Sequence, residues 1–249
     1  MAIHPSLLQQ FHLLKHLPES KQRQLAAASA LGSYARREVL VEKNDPLKLM
    51  GFLLEGRLQL VDFTLDGKEV GLSFIDEGHY YGEVAMLDGL RHPEYVLANR
   101  KSQVVLVPAE MLRSFLFEEP RIAEVVMLSL ARKLRQHSAQ RQILSISNPL
   151  QRVCAQLLLL LEHAEAYDAQ PAQTPQGESG RRSALKPEDA YRVLAVAPTH
   201  QDLAMMINLS RETVTRVFQV LQSRNLLERQ GDAMLIRLRE VEQMARHGD

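Results

Sequence analysis

Hydrophobic positions change period along the chain. Between residues 36 and 108 they alternate or fall in short runs. GFLLEGRLQLVDFT is punctuated by Gly56, and Asp66-Gly67 separates it from KEVGLSFI, the strongest short hairpin signal in the sequence. Glu77-Gly78 gives a further turn, and VLANRKSQVVLVP reads as another strand pair. Short strands at close spacing with glycine turns predict a small antiparallel barrel or roll.

From Ala109 to Ser147 the period is helical. Met127, Leu130, Leu134, His137, Arg141 and Leu144 are spaced 3, 4, 3, 4, 3, the a/d seam of helices that pair along their length. The end of the seam is polar. Either the helices splay there, or a polar seam residue sets register or senses a ligand. Asn148-Pro149 breaks the helix, and LQRVCAQLLLLLEHA opens a second unit. Residues 168–190, rich in Pro, Gly, Ser and Gln, read as a mobile surface loop.

The stretch THQDLAMMINLSRETVTRVFQVLQSRNLLERQGDAMLIRL carries the most specific signal. Thr199 with Asp202 three residues on is a capping box. Leu203, Ala204 and Ile207 form a buried face, and Asn208 stands where a tight turn requires positive φ. Ser210 caps a second helix whose Val214, Val217 and Leu221 point inward. Together these make a helix-turn-helix, and LLERQ-GD-AMLIRL follows as a hairpin wing. The second helix offers Arg211, Glu212, Thr215, Arg216 and Gln219 on its other face. Arginine can bond guanine O6 and N7 together, and a carboxylate can accept from cytosine N4. The competing reading is an exposed helix with a Glu212–Arg216 ion pair, worth only about 0.2–0.5 kcal/mol.

Composition narrows the classes. At 249 residues there is room for two domains. Thirty basic and thirty acidic residues cancel, so bulk charge names no partner. Residues 149–249 hold twelve Lys/Arg against thirteen Asp/Glu, but residues 211–239 hold six Arg against three acids, a local basic footprint. The single Cys154 excludes an intramolecular disulfide and a cysteine-held iron–sulfur cluster, and points to a reducing, cytoplasmic setting. No apolar run approaches the ~20 residues of a membrane helix, and histidines and Lys15 interrupt the N-terminal stretch, so it does not read as a secretory signal. His12 and His16, spaced i, i+4, read as a surface helix face rather than a metal site. No nucleophile–base set, metal cluster or P-loop supports an enzyme.

One loop remains, YYGEVAMLDGLRHPEYV at 80–96. Its form suits a cradle of backbone N–H groups for an anion, yet an acid, Glu83, sits inside it. GEVAML resembles the phosphate-binding cassette of cyclic-nucleotide domains. SRETVTR resembles the recognition-helix start in the cyclic-AMP receptor branch of the CRP/FNR superfamily of bacterial transcription regulators. The resemblance covers nearly the whole chain. It implies an α+β fold: an antiparallel β-roll sensor over 1–118, a dimerisation helix over 119–147, and a winged helix-turn-helix over 148–249.

It further implies a homodimer paired through 119–147, acting on double-stranded DNA, with RNA polymerase a partner if the protein activates. Arg211, Glu212 and Arg216, with Thr215 on the same face, would read bases of a TGTGA-like rather than a TTGAT-like half-site. Half-sites would lie about one helical turn apart. Thr199, Ser210 and the wing residue Arg229 would touch phosphates. In the cassette, Gly82 and Glu83 match the family's glycine and ribose-binding carboxylate. The position of the phosphate-neutralising arginine falls on His92, followed by Pro93, and that of the adenine contact on His137, followed by Ser138. An imidazole lacks arginine's permanent charge and fork. The effector is therefore left open between cyclic AMP in an altered pocket, another nucleotide or metabolite, and none. Haem would need an axial ligand such as His79, His92 or His137, but a lone histidine is more often structural. A sensing module that acts through protein partners is the competing function.

Overall fold

The structure, a computed structural model, describes residues 3–168 and 191–248. The loop expected at 168–190 lies, from residue 169 on, outside the described residues. The chain divides into two compact units, Met1–Lys133 and Leu134–Asp249.

The first unit opens with α1 (Pro5–Leu8), a 3-10 turn at Leu14–His16 and α2 (Glu19–Ala28). Strands follow: β1 (Ala30–Tyr34), β2 (Val39–Val41), β3 (Leu49–Glu55), β4 (Leu58–Phe63), β5 (Glu69–Ile75) and β6 (Tyr80–Tyr81). After α3 (Glu83–Asp88) come β7 (Tyr95–Ala98), β8 (Ser102–Pro108), α4 (Ala109–Glu118) and α5 (Pro120–Ser145). The strands form two antiparallel four-stranded sheets, ordered β1-β8-β3-β6 and β2-β7-β4-β5. Leu53 and Val104 of the first sheet meet Leu58, Leu60, Val96 and Ala98 of the second in a core between them. The outer face of the first sheet, with Met50, Phe52, Val105 and Val107, is covered by Leu8, Leu25, Leu112 and Phe115 from the helices.

The β4–β5 hairpin closes at Asp66-Gly67 as its turn chemistry requires: Thr64 N–H donates to the Lys68 carbonyl at 3.0 Å, and Gly67 has φ 78°. Two readings need correction. VLANRKSQVVLVP does give two strands, but they do not pair with each other. β7 pairs with β2 and β4, whereas β8 pairs with β1 and β3. The reason is a shared corner where both β3–β4 and β7–β8 cross between sheets. Asn99 and Arg100 N–H groups donate to the Arg57 carbonyl at 2.9 and 3.2 Å, and Arg57 N–H donates to Ser102 Oγ at 3.2 Å. Gly56 sits at φ 104° against this corner, where a Cβ would lie 2.4 Å from the Lys101 carbonyl oxygen. The second correction concerns His12 and His16. His12 precedes the 3-10 turn and His16 ends it, so they do not share an α-helix face; their rings meet edge-to-face at 5.1 Å.

The helical stretch after Pro108 is two helices. Glu119 is extended (φ −120°, ψ 95°) because Pro120 follows it. On α5, Ile122, Val126 and Ile143 are buried, while Met127, Leu134 and Leu144 are 62%, 71% and 42% exposed. An apolar stripe along the helix is thus uncovered in the single chain.

The second unit adds α6 (Pro149–Asp168), β9 (Tyr191–Leu194), α7 (His200–Met206), α8 (Arg211–Ser223), β10 (Leu227–Gln230), β11 (Ala233–Arg237) and α9 (Leu238–His247). Asn148 caps α6 by accepting Leu150 N–H at 2.9 Å, with Pro149 in the first turn where its missing N–H costs nothing. Val153, Leu157 and Leu161 of α6 are buried, as are Val241 and Met244 of α9. Burial pushes the Cys154 thiol up to about 12, so it stays protonated and packs as an apolar group. β9 joins β11 to make the wing a three-stranded antiparallel sheet, β10-β11-β9.

Gly56→Ala combines a strained φ with a backbone collision. Urea denaturation followed by circular dichroism should show a loss of at least about 2 kcal/mol.

Candidate nucleic-acid interface and sensor pocket

The capping box at α7 forms with both arms. Thr199 Oγ1 accepts Asp202 N–H at 3.1 Å, and Asp202 Oδ2 accepts Thr199 N–H at 2.9 Å. The turn to α8 passes through Asn208 at φ 50°, and Ser210 Oγ accepts Thr213 N–H at 3.1 Å to start α8. Val214, Val217, Phe218 and Leu221 are buried. That fixes the opposite face outward, and Arg211, Glu212, Arg216 and Gln219 are exposed. Thr215 differs from its neighbours. It is only partly exposed, and its hydroxyl donates to the Arg211 carbonyl at 2.9 Å while lying 2.9 Å from His200 Nδ1.

Glu212 stands in the first turn of α8. Its own backbone N–H and Ser210, ahead of Arg211 and Arg216, hold its carboxyl below the usual range. It is therefore an ionised acceptor at neutral pH. The carbonyls that α7 leaves bare at its tight end are paired from other helices. Gln140 Nε2 of α5 donates to Met206 at 2.8 Å, and Arg152 Nη1 of α6 donates to Ile207 at 3.2 Å. Arg152 Nε also reaches Ile146, just past α5, at 2.7 Å.

Thr199, His200, Gln201, Arg211 and Arg229 line a cleft of about 340 Å³. It unites the start of α7, the start of α8 and the wing, three places the sequence marks for DNA contact. His200, absent from the sequence-based set, is the new member. Its ring lies 4.4 Å from that of Phe218. Burial, then Arg229 and Arg211, lower its pKa.

In the first unit, Gly82, Glu83 and His92 come together with Tyr81, Pro93, Glu94 and Lys133. Gly82 has φ 96° and precedes α3, so the backbone turns there as only glycine does easily. Glu83 is 2% exposed and ion-paired to Lys133 of α5. His92 is buried. Desolvation lowers its pKa against the opposing pull of Asp45 and Glu83, so the imidazole is neutral at physiological pH. Arg91 does not take its place: it is exposed and donates to the Asn44 carbonyl at 2.7 Å. Burial pushes the Glu94 carboxyl up, and Glu83 adds to that against Lys133. The remaining cavity is about 20 Å³, room for a single water. Lys133 and Glu94 are new members: Lys133 comes from α5, outside any motif, and Glu94 lies in the 80–96 loop beside Pro93 at a position with no motif role. His137 and Ser138 are exposed residues of α5 in the second unit. His79 sits in the turn before β6, its Nδ1 3.0 Å from the Asp76 carbonyl. No group of three or more His, Cys, Asp or Glu among the described residues could hold a metal ion. No helix among them is long and apolar enough to cross a membrane.

A family model for the cyclic nucleotide-binding domain matches residues 31–128, and one for the Crp-like helix-turn-helix domain matches residues 151–247. The cAMP-activated global transcriptional regulator CRP of Haemophilus influenzae is 21% identical over 207 residues, 83% of each chain. The CRP-like cAMP-activated global transcriptional regulator of Mycobacterium tuberculosis is 24% identical over 203 residues, 82% of each. FixK2 from Bradyrhizobium japonicum has the same fold at a TM-score of 0.67 and 17% identity, covering 86% of this chain and 96% of that one. A CRP-family transcriptional regulator from Thermus thermophilus superposes with a TM-score of 0.60 at 22% identity, with the same coverage.

Lys133→Met leaves Glu83 buried without its charge partner. It should cost about 3 kcal/mol in urea denaturation, and Glu83→Gln in the same chain should recover part of that loss.

Proposed function

Because the chain belongs to the CRP/FNR-type transcription regulators and carries their helix-turn-helix DNA-binding domain, we propose that it binds a two-fold symmetric, TGTGA-like operator as a homodimer in the cytoplasm. The observation that carries this reading is the outward face of α8, where Arg211, Glu212 and Arg216 stand exposed over a fully buried opposite face. The arginines suit guanine O6 and N7, and the ionised Glu212 suits cytosine N4. An acid placed before a polyanion is a penalty unless it has a donor to read, and cytosine N4 is such a donor. Thr215, with its hydroxyl committed within the protein, retains a methyl for thymine. Thr199 and Arg229 line a cleft sized for backbone phosphates, whereas the Ser210 hydroxyl is engaged in its cap.

The uncovered stripe of α5 supports pairing through that helix. Met127, Leu134 and Leu144 keep heptad spacing and are exposed in the single chain. Pairing there spaces two recognition helices for half-sites about one turn of DNA apart. If the protein activates transcription, RNA polymerase is its further partner.

The effector differs from that of the cAMP-activated relatives, or is absent. A cyclic phosphate entering the cassette would meet a neutral His92 and Pro93, which has no N–H to give. It would also meet Glu94, a second carboxylate near Glu83. Shift of the dimer between two arrangements, if an effector drives it, requires a ligand that prefers one of them. His137 and Ser138 are residues of the effector site by resemblance alone.

Gel-shift on a TGTGA-type palindrome should give binding that cyclic AMP leaves unchanged within about twofold. Arg211→Ala, lost from both half-sites, should weaken it at least about thirtyfold, and Glu212→Ala should relax base discrimination. Unchanged binding in both variants would remove the base-reading assignment. Leu134→Asp should convert dimer to monomer in sedimentation velocity; a persistent dimer would place the pairing surface elsewhere.

A further inference from the structure

The hydrogen-bond geometry around His200 fixes which of its nitrogens carries a proton. The Thr215 hydroxyl has one proton, and that proton points to the Arg211 carbonyl at 2.9 Å. The contact between Thr215 Oγ1 and His200 Nδ1, also 2.9 Å, must then use an Nδ1–H donating to the hydroxyl oxygen. In the neutral ring Nε2 is left as a bare acceptor, and it has no hydrogen-bond partner among the described residues. The same ring lines the cleft between Arg211 and Arg229 and is held against Phe218.

We infer that His200 is a proton-linked phosphate clamp: operator binding adds a proton to its Nε2, which then donates to a DNA phosphate while Nδ1 keeps Thr215 in place. The inference rests on the DNA-binding reading above. A bare nitrogen lone pair facing a phosphate oxygen is repulsive, so the neutral, Thr215-locked ring cannot hold a phosphate. Protonation turns the same nitrogen into a charged donor without moving the ring. The charged groups acting on His200 are Arg229 of β10 and Arg211 of α8, and Asp202 on its own helix is tied to the Thr199 cap. In the free protein those two arginines and burial disfavour the imidazolium. A phosphate between them reverses the local field. The sign follows: His200 binds its proton more tightly in the complex, so affinity is greatest below its free-state pKa, itself under 6.5. Affinity then declines as pH rises through the higher pKa of the complex.

The test is fluorescence anisotropy with a labelled TGTGA-type palindrome from about pH 6 to about pH 8.5, at fixed ionic strength. Wild-type protein should lose about tenfold in affinity across this range. His200→Gln should bind weakly with less than about twofold change, and His200→Arg, permanently charged, should bind tightly and without pH dependence. Thr215→Val is the sharper variant. It frees Nδ1 to give up its proton, so the neutral ring can present Nε2–H, and the pH dependence should shrink. Parallel pH profiles in wild type and His200→Gln would overturn the inference, as would an undiminished profile in Thr215→Val. Absence of binding at every pH would instead sink the DNA-binding reading, and this inference with it.

Discussion

The bend between α7 and α8 brings the Met206 and Ile207 carbonyls to partners outside the pair, and those bonds hold the bend from which α8 departs. Leaving such a group buried and bare costs on the order of 1–3 kcal/mol. Gln140 and Arg152 supply the partners, from α5 and α6 respectively. Arg152 bonds Ile146 as well, so one guanidinium ties the end of the long helix to the turn that orients α8. Its planar fork suits this task, since several fixed donors serve carbonyls on two segments at once. The outward set of Arg211, Glu212 and Arg216 follows from the burial of Val214, Val217, Phe218 and Leu221 on the opposite face of α8.

The pocket at Gly82 and Glu83 is governed by charge. Gly82 makes its turn, and Lys133 of α5 holds the buried Glu83 carboxylate. The groups around it are mixed in charge. His92 is buried and neutral, and Glu94 brings another acid to the same small space. Lys133 is the one cation among the residues lining this pocket, and it is ion-paired to Glu83, which fits the proposal of a different effector or none. A second imidazole with a lowered pKa stands in the second unit, where His200 shares a cleft with Arg211 and Arg229.

Much of this was legible in the sequence where the governing interactions are local. Thr199 and Asp202 are three residues apart, Asn208 answers to its own φ, and the wing follows from a two-residue turn. The exposed stripe of α5 follows from spacing alone. The remainder depends on contacts distant in sequence. Nothing in VLANRKSQVVLVP reveals that β7 and β8 part at a corner built on Arg57. The third wing strand, β9, stands apart in sequence from the hairpin it joins, so local turn chemistry could not disclose it. Lys133 reaches Glu83 across fifty residues, and His200 acquires its role only because Thr215 and Arg229 fold against it.

The central claim is that α8 reads DNA in two-fold related pairs. Selection of bound duplexes from a random pool tests it without assuming a site. The account predicts enrichment of a palindrome with guanine and cytosine at symmetry-related positions and half-site centres about one helical turn apart. Enrichment of an asymmetric site, or of no sequence above the starting pool, would contradict it.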